Sequence, residues 1–542
     1  MKRRVVKVDT SNQRSLFDDA LPVMAESEQA NKLQPGLGIR FVDPDPRLMR
    51  LNEVRLDQHL SQAGQDASIK IRTLLEEMDW SGFAQSYHPG GRPPYAPRAM
   101  VGLILYGIMQ GISSLRRLED FARTDLGCMW ISGGIFPDHS VIGRFVQRHE
   151  AQLSGAFFEQ LTAQVLKVTG STVDTVAGDG SIVEAAASRF RTVKAEALAQ
   201  AVEQQRQTVE EEESTDTDQP SQNQRRLDTL LEAQQTLEER QQKRQRKGKS
   251  GDVLINTQEP EAMIQRQKDK KRFVASYKPS VLVNEMRIIL GHAVDPGNEN
   301  IVVPSLLEQA QRHGEINTLL LDAGYFNDTV ITAAKERDIE LLCPEGRSYG
   351  DNWNRQSSKG YLKNQFQYDP EQDCYHCPQG ERLHYLRQYK GNDHTPGYRL
   401  YGCDACQQCP QKTACTRSAK GRCIKRYESD AEKEALREKM AQAEVRERYL
   451  KRQGMVEPVF GHLWYQQGLK RFHRKGLAGV RLEFSLHALA YNLSRAKAHW
   501  ANTGAAEAFF RAMSTLRMVF SALTAIFRRP VEFSAAGRQL AA

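Results

Sequence analysis

The chain has 542 residues, with 75 Lys+Arg against 67 Asp+Glu, a formal charge of +8, and 40% hydrophobic residues. That length allows three or four domains of about 150 residues, and the apolar fraction excludes a wholly disordered chain. The 38 Gly and 21 Pro exclude collagen-like and proline-rich classes, and so mild a charge suggests neither a histone-like protein nor an acidic solubiliser.

Residues 1–38 are polar, lack a steady apolar period and read as a flexible tail. The basic start Met1-Lys2-Arg3-Arg4 is not followed by the apolar core of a secretory signal. Within the tail, Gln13-Arg14-Ser15-Leu16-Phe17 resembles the Gln-x-x-Leu-Phe peptides that dock on the bacterial sliding clamp, with Leu16 and Phe17 as apolar anchors and Gln13 as polar guide.

Residues 39–165 read as a helical domain. Gly91-Arg92-Pro93-Pro94-Tyr95-Ala96-Pro97-Arg98 is a rigid entry, and the apolar run Met100 to Met109 starts a helix. Ser113 and Ser114 can cap the next one, whose Leu115, Leu118 and Phe121 share a face. Gly133-Gly134 breaks the pattern, Pro137-Asp138-His139-Ser140 follows, and a helix near Val141 presents Arg144, Arg148 and His149 as a basic, partly polar face. Short helices, a turn and a basic helix suit either a helix-turn-helix for duplex DNA or a helical bundle with a charged face.

From 166 to 345 the pattern alternates between strand and helix, which predicts an α/β sheet. The β-prone run Ser171 to Ala177 ends in Gly178-Asp179-Gly180-Ser181. Val281–Val283 and Arg287 to Ala293 suit a strand pair, Ser305 to Gln311 a helix, and Asn317 to Leu321 a buried strand ending at Asp322-Ala323-Gly324-Tyr325. A helix from about Asp328 and a strand Ile339 to Leu342 close the run. Asp179 and Asp322 therefore fall at strand ends, where functional groups of open sheets gather. Within this region, residues 190–275 form a polar insert, acidic first, basic later and glutamine-rich throughout. It reads as exposed helices or a coiled hairpin with little apolar surface, broken at Ser214 to Gln222.

Seven of the nine cysteines lie between 374 and 423, inside an insertion assigned to 346–427. Cys374-x-x-Cys377 and Cys403-x-x-Cys406, about 25 residues apart, have zinc-ribbon spacing. These four are the simplest tetrahedral set. Cys409 and Cys415 can replace the second pair, or form another site with Cys423 and a histidine such as His384. The expectation is structural Zn²⁺, because a closed four-cysteine site leaves no open position. Residues 428–500 are helical and charged, and 501–542 read as a C-terminal helix and tail. In the latter, Arg511 and Arg517 interrupt the apolar stretch from about Ala505 to Phe527, so it is not read as a membrane span. A cytoplasmic protein is expected.

A third carboxylate, Glu457, sits in Tyr449-Leu450-Lys451-Arg452-Gln453-Gly454-Met455-Val456-Glu457-Pro458-Val459-Phe460-Gly461. With Gly-Arg-Pro-Pro-Tyr, Pro-Asp-His-Ser, Asp179-Gly, Asp322-Ala-Gly-Tyr, Arg471-Phe472, Arg474-Lys475-Gly476-Leu477 and Tyr491-Asn492-Leu493 in this order, the chain resembles DDE transposases of bacterial insertion sequences. More narrowly, it is similar to the subgroup with an N-terminal helical domain and a cysteine-rich insertion, over roughly residues 40–500.

The resemblance implies a ribonuclease-H-like α/β core in which Asp179, Asp322 and Glu457 bind two Mg²⁺ (or Mn²⁺) ions. It also implies duplex DNA with terminal inverted repeats and a target DNA as partners, a homodimer, and nucleoid association. Tyr449 and Arg452 match positions that accompany the glutamate in related enzymes, Arg452 as a phosphate ligand. Trp464 stands where a lysine is expected, with Lys470, Arg471 or Lys475 nearby as replacements and Arg474 as a further DNA-binding residue, and can stack on a frayed base. Glu483 in Arg481-Leu482-Glu483-Phe484 ranks below Glu457 as third carboxylate because it lacks the Tyr-x-x-Arg lead-in. The rival classes are a transposase-derived DNA-binding protein without catalysis and a metal-dependent nuclease with the same triad. Charge supports a local nucleic-acid surface: between Arg417 and Arg481 there are 17 Lys/Arg and 8 Asp/Glu, a balance of +9 around Glu457.

Overall fold

A computed structural model of the chain describes residues 32–33, 39–212, 222–246, 248, 251–267, 272–346, 361–391 and 396–527, with the backbone alone for 32–33, 212 and 504–527. The chain divides after Gln152 into two compact units.

The first unit is helical, with α1 (Leu56–Gln62), α2 (Asp66–Glu76), α3 (Pro97–Met109), α4 (Leu115–Thr124), α5 (Leu126–Ser132) and α6 (His139–Arg148). Pro97 opens α3 where a missing N–H costs nothing. That helix is apolar all round and lies buried against α2, α4 and α5. Ser114 precedes α4, but its hydroxyl makes no capping bond. Where the sequence suggests one turn, the short helix α5 intervenes. It ends at Gly133 (φ 77°), where a Cβ would lie 2.4 Å from the Pro44 carbonyl oxygen. The carbonyls at the end of α5 are satisfied by two buried arginines: Arg72 Nη1 donates to Trp130 O (3.0 Å) and Arg98 Nη1 to Ile131 O (3.0 Å). Asp138 caps α6 through Ser140 and Val141 N–H.

The second unit begins with α7 (Ala156–Thr169), a helix the sequence reading groups with the helical domain. Here it packs on the last helix, and Phe158 sets its ring edge-on to His292 at 4.4 Å. The sheet runs β1 (Thr175–Gly180), β2 (Phe273–Asn284), β3 (Ile289–Asp295), β4 (Thr318–Leu320) and β5 (Glu340–Leu342), in spatial order β3-β2-β1-β4-β5. β2 is antiparallel to both β1 and β3, and β1, β4 and β5 are parallel. Val176, Ala177, Val281–Val283 and Leu319–Leu320 are all buried, the continuous apolar run of a sheet covered on both faces. The covering helices include α10 (Val303–Gln311), α11 (Asp328–Lys335), α12 (Asp430–Ala441), α13 (Ala443–Tyr465) and α14 (Gly476–Phe527). Asn492 on α14 gives β3 an artificial neighbour. Its Oδ1 accepts Ile289 N–H (2.9 Å), while its Nδ2 donates to Ile289 O (2.8 Å) and Thr162 Oγ1 (3.1 Å).

The polar insert is a helical hairpin, α8 (Ala195–Glu212) and α9 (Gln222–Arg246), with a core of its own. Leu198, Val202 and Val209 meet Leu227, Leu230, Ala233 and Leu237, more apolar burial than the composition suggests. The Ser214–Gln222 break lies almost wholly outside the described residues. The cysteine-rich insertion is a five-stranded antiparallel meander rather than a simple ribbon: β6 (Gln367–Asp369), β7 (Cys374–His376), β8 (Arg382–Tyr389), β9 (Tyr398–Gly402) and β10 (Cys423–Arg426). Phe366, Tyr375, Leu383, Tyr401 and Ile424 form its core. No helix is long and apolar enough to cross a membrane among the described residues.

Candidate active site

The parallel register pairs Leu320 of β4 with Ala177 of β1. Asp322 and Asp179 each stand two residues beyond that pair, so both carboxylates arrive at the same end of the sheet at one level. Asp179 Oδ1 accepts the Gly180 N–H at 2.8 Å. Asp322 Oδ1 accepts the Gly324 N–H at 2.9 Å, capping the turn Ala323–Tyr325. Helix α13 packs on β1 and delivers Arg452. Its Nη2 lies 3.3 Å from Asp179 Oδ2, 4.0 Å from Asp322 Oδ2 and 3.3 Å from Gly178 O. Its Nε is buried without a partner among the described residues. Half-buried Tyr449, one turn earlier, feels Arg452, Cys343, Asp322 and Asp179.

A third acidic residue, not singled out in the sequence, joins Asp179 and Asp322. Glu299 follows β3 and pairs with Lys278 at 3.4 Å. A Cβ at Gly180 would lie 2.7 Å from Glu299 Oε2, and one at Gly324 would lie 3.0 Å from Asp322 Oδ1 and 3.9 Å from Glu299 Oε1. The two glycines thus keep a space between the carboxylates clear. The signal for Glu299 in the sequence is slight: an acidic residue directly after the turn Asp295-Pro296-Gly297-Asn298 that follows a strand. Burial pushes the Asp179 carboxyl above its ordinary range. Arg452 and the Gly180 N–H pull it down, while Asp322 and Glu299 push it further up.

Glu457 is exposed on α13, and its carboxylate makes no hydrogen bond or ion pair among the described residues. Five residues after Arg452, it points about 140° away round the helix. Pro458 sits inside this helix and cannot donate to Gly454 O; the side chain of Arg287, itself at φ 63°, donates there instead (Nε, 3.0 Å). Glu483 is buried and fully engaged: it accepts the N–H groups of His473 (2.9 Å) and Arg474 (2.8 Å) and pairs with His473 Nδ1 (3.0 Å). It anchors the chain before α14 through these bonds.

Among the basic and aromatic candidates, Arg471 is committed to structure: its guanidinium donates to Ala185 O (3.1 Å) and Ala187 O (2.8 Å). Lys470 is exposed and lies 4.6 Å over the Tyr465 ring. Lys475 is exposed, Arg474 half-buried, and Trp464 half-buried with its ring 6.0 Å from Phe460. In the first unit Arg144 and Arg148 are exposed on α6, Arg148 lying 5.0 Å over the Tyr87 ring. His149 does not share that face. It is 1% exposed, packed by Phe83 and Phe145, 3.1 Å from Tyr87 Oη, and burial lowers its pKa to about 4.

In the insertion, Cys374 is buried and Cys377, Cys403, Cys406, Cys409 and Cys415 are half-buried. Among the described residues, one group has three metal-ligand atoms within 4.8 Å of one another: Asp369, Cys374 and His376.

The sheet ordered 3-2-1-4-5 carries one carboxylate at the end of its first strand and another just beyond its fourth. Two comparisons with known families bear on it. Residues 55–148 match a transposase domain family of otherwise undefined role, and residues 376–496, which include Tyr449, Arg452 and Glu457, match the transposase DDE domain family. No curated protein matches the chain. These two matches indicate a DDE transposase of the insertion-sequence type, and the DDE domain implies a ribonuclease-H-like core. Asp179 and Asp322 lie outside both matched segments.

Proposed function

We propose that this transposase binds the inverted-repeat ends of its element, cuts DNA there and joins the ends to target DNA with Mg²⁺ or Mn²⁺. The observation that carries this is the convergence of Asp179, Asp322 and Arg452 at the ends of adjacent parallel strands. The donor set fits a hard divalent cation, because it consists of carboxylate oxygens around a space that a Cβ at Gly180 or Gly324 would fill. Asp179 and Asp322 would hold the ions, with Glu299 beside them; the resemblance adds Glu457, which lies on another side of α13 from Arg452 and would join the set only by movement of its helix. Bound there, such ions activate an attacking water or 3′-hydroxyl and stabilise the leaving oxygen of an in-line displacement.

The chain's own groups orient and neutralise. The Gly180 N–H fixes Asp179, and Arg452 draws the two aspartates together. The partnerless Arg452 Nε–H is a donor for a phosphate oxygen. Lys470, Arg474 and Lys475 follow α13 as backbone-contacting cations, and Trp464 as a stacking surface. Arg144 and Arg148 on α6 serve duplex binding in the first unit. Structural zinc in the cysteine-rich insertion, cytoplasmic location and a homodimer that holds two ends complete the reading. The clamp-docking string Gln13–Phe17 lies outside the described residues.

The competing reading, a DNA-binding protein without catalysis, draws on the exposed Glu457 and on Trp464 in place of a lysine. Cleavage of element ends with Mg²⁺ by the wild type, lost in Asp179→Asn, separates the two. Cleavage by Asp179→Asn at wild-type rate removes that residue from the chemistry. Transfer of a pre-cut end into a plasmid distinguishes a transposase from a nuclease.

A further inference from the structure

The two Cys-x-x-Cys pairs suggest that Cys374 and Cys377 share a metal. The fold separates them. Cys374 and His376 lie on β7 two residues apart and therefore on one face of the sheet, with Cys374 Sγ 3.8 Å from His376 Nε2. Tyr375 and Cys377 fall on the other face, and both join the apolar cluster of Phe366, Leu383, Tyr401 and Ile424.

On that second face, Cys377, Cys406, Cys409 and Cys415 line a single pocket together with Phe366, Leu383 and Arg422. They come from three separate places: the turn after β7, the Cys406-x-x-Cys409 segment, and the short helix Lys412–Cys415. The electrostatic neighbours of the Cys415 thiol repeat the same set: Arg422, Cys406, Cys377 and Cys409. Local geometry is fitted to these sulfurs. Gln379 N–H donates to Cys377 Sγ at 3.3 Å. Gly421, at φ 91°, leaves room for Cys406, whose Cβ would lie 2.6 Å from any Cβ there. Cys403 packs on the apolar cluster but does not line the pocket, and Cys423 is exposed.

We propose that Cys377, Cys406, Cys409 and Cys415 form a four-thiolate zinc site that pins the 403–416 segment to the insertion's sheet, and that Cys374 is not a ligand. Four thiolates at about 2.3 Å are a closed tetrahedral set, so the site is structural. Such a site would help hold a sheet whose apolar cluster, among the described residues, centres on five buried side chains. The assignment deepens the zinc reading of the insertion and is independent of the catalytic one.

The test uses the full-length protein purified under reducing conditions without chelator. Metal analysis is expected to give about one zinc per chain. Pulse alkylation followed by peptide mass spectrometry is then run before and after zinc removal. Cys377, Cys406, Cys409 and Cys415 are expected to be protected at least tenfold by zinc, Cys423 to react throughout, and Cys374 to show no zinc-dependent change of its own. In a second arm, Cys409→Ser loses zinc and Cys374→Ser retains it. Protection that maps to Cys374 or Cys403 in place of one of the four overturns the ligand set. So does zinc lost from Cys374→Ser or His376→Ala but kept by Cys409→Ser. Protein without zinc, or with these thiols paired as disulfides, overturns the site itself. End cleavage is measured separately, so a failure of catalysis is not confused with a failure of this site.

Discussion

Arg452 Nη2 sits 3.3 Å from Asp179 Oδ2 and 4.0 Å from Asp322 Oδ2, one cation serving two carboxylates from neighbouring strands. In a metal-free protein this guanidinium offsets the repulsion of Asp179, Asp322 and Glu299. Replacing it in Arg452→Ala is expected to cost about 1–3 kcal/mol of stability and to make the protein depend more on Mg²⁺. Thermal unfolding with and without Mg²⁺ checks this: the variant's melting temperature should rise more with the ion than the wild type's.

The four acidic residues should separate by role. Asp179→Asn and Glu457→Gln are expected to lower end cleavage by at least about a hundredfold, since each removes a proposed metal ligand. Glu299→Gln keeps the shape and the Lys278 contact but removes a charge. It should raise the Mg²⁺ concentration for half-maximal cleavage several-fold and leave the saturated rate close to wild type. A metal titration of the cleavage rate measures both quantities.

Pro458 and Arg287 are coupled through Gly454 O. Arg287→Ala leaves that carbonyl without its side-chain donor and should destabilise by about 1 kcal/mol. Pro458→Ala restores a helical N–H to the same oxygen, so Arg287→Ala should cost less in its background. A double-mutant cycle by denaturant unfolding measures the coupling, and strict additivity would remove it.

Asn492→Leu removes the amide that pairs both backbone groups of Ile289 and the Thr162 hydroxyl. The three groups are left buried, for a loss of about 1–3 kcal/mol each at most and less after relaxation. Hydrogen exchange at Ile289 should quicken before the rest of the sheet does.

Acid should unfold the first unit through His149. Its pKa is lowered by burial to about 4 against an ordinary 6.5, so the native state binds fewer protons than the unfolded chain between those values. Stability is therefore full above about pH 6.5 and falls as the pH drops towards 4. His149→Gln, which cannot charge, should flatten that fall in an acid titration followed by circular dichroism.

The aspartates at the sheet's end are legible in the sequence because each ends a short apolar strand beside glycine, a local pattern. Glu299 is not, because only the pairing of β3 with β2 and β2 with β1 carries its turn to Asp179. Arg452 is found through a motif and not through spacing, since nothing local distinguishes it from Arg448, which pairs with Glu340. The hairpin's core hides in a glutamine-rich composition, where a few Leu and Val residues at steps of three and four suffice when two helices share them. His149 misleads in the opposite direction, its charge counted as surface although aromatic neighbours enclose it. The Cys374-x-x-Cys377 spacing alone does not fix a ligand set, because Cys374 stands on β7 while Cys377 lies just beyond it, packed on the apolar cluster.

The hairpin α8–α9 also bears on how the sheet is reached during folding. Asp179 pairs with Val281, and about a hundred residues of chain separate them. Closing so long a loop slows the search for native contacts, because entropy is lost before distant strands can reward it. A hairpin with an apolar seam of its own can form early from neighbouring residues and draw the ends of that loop together. The insert would then act as a temporal device: it shortens the effective distance between β1 and β2, so that the strand carrying Asp179 meets its partner sooner.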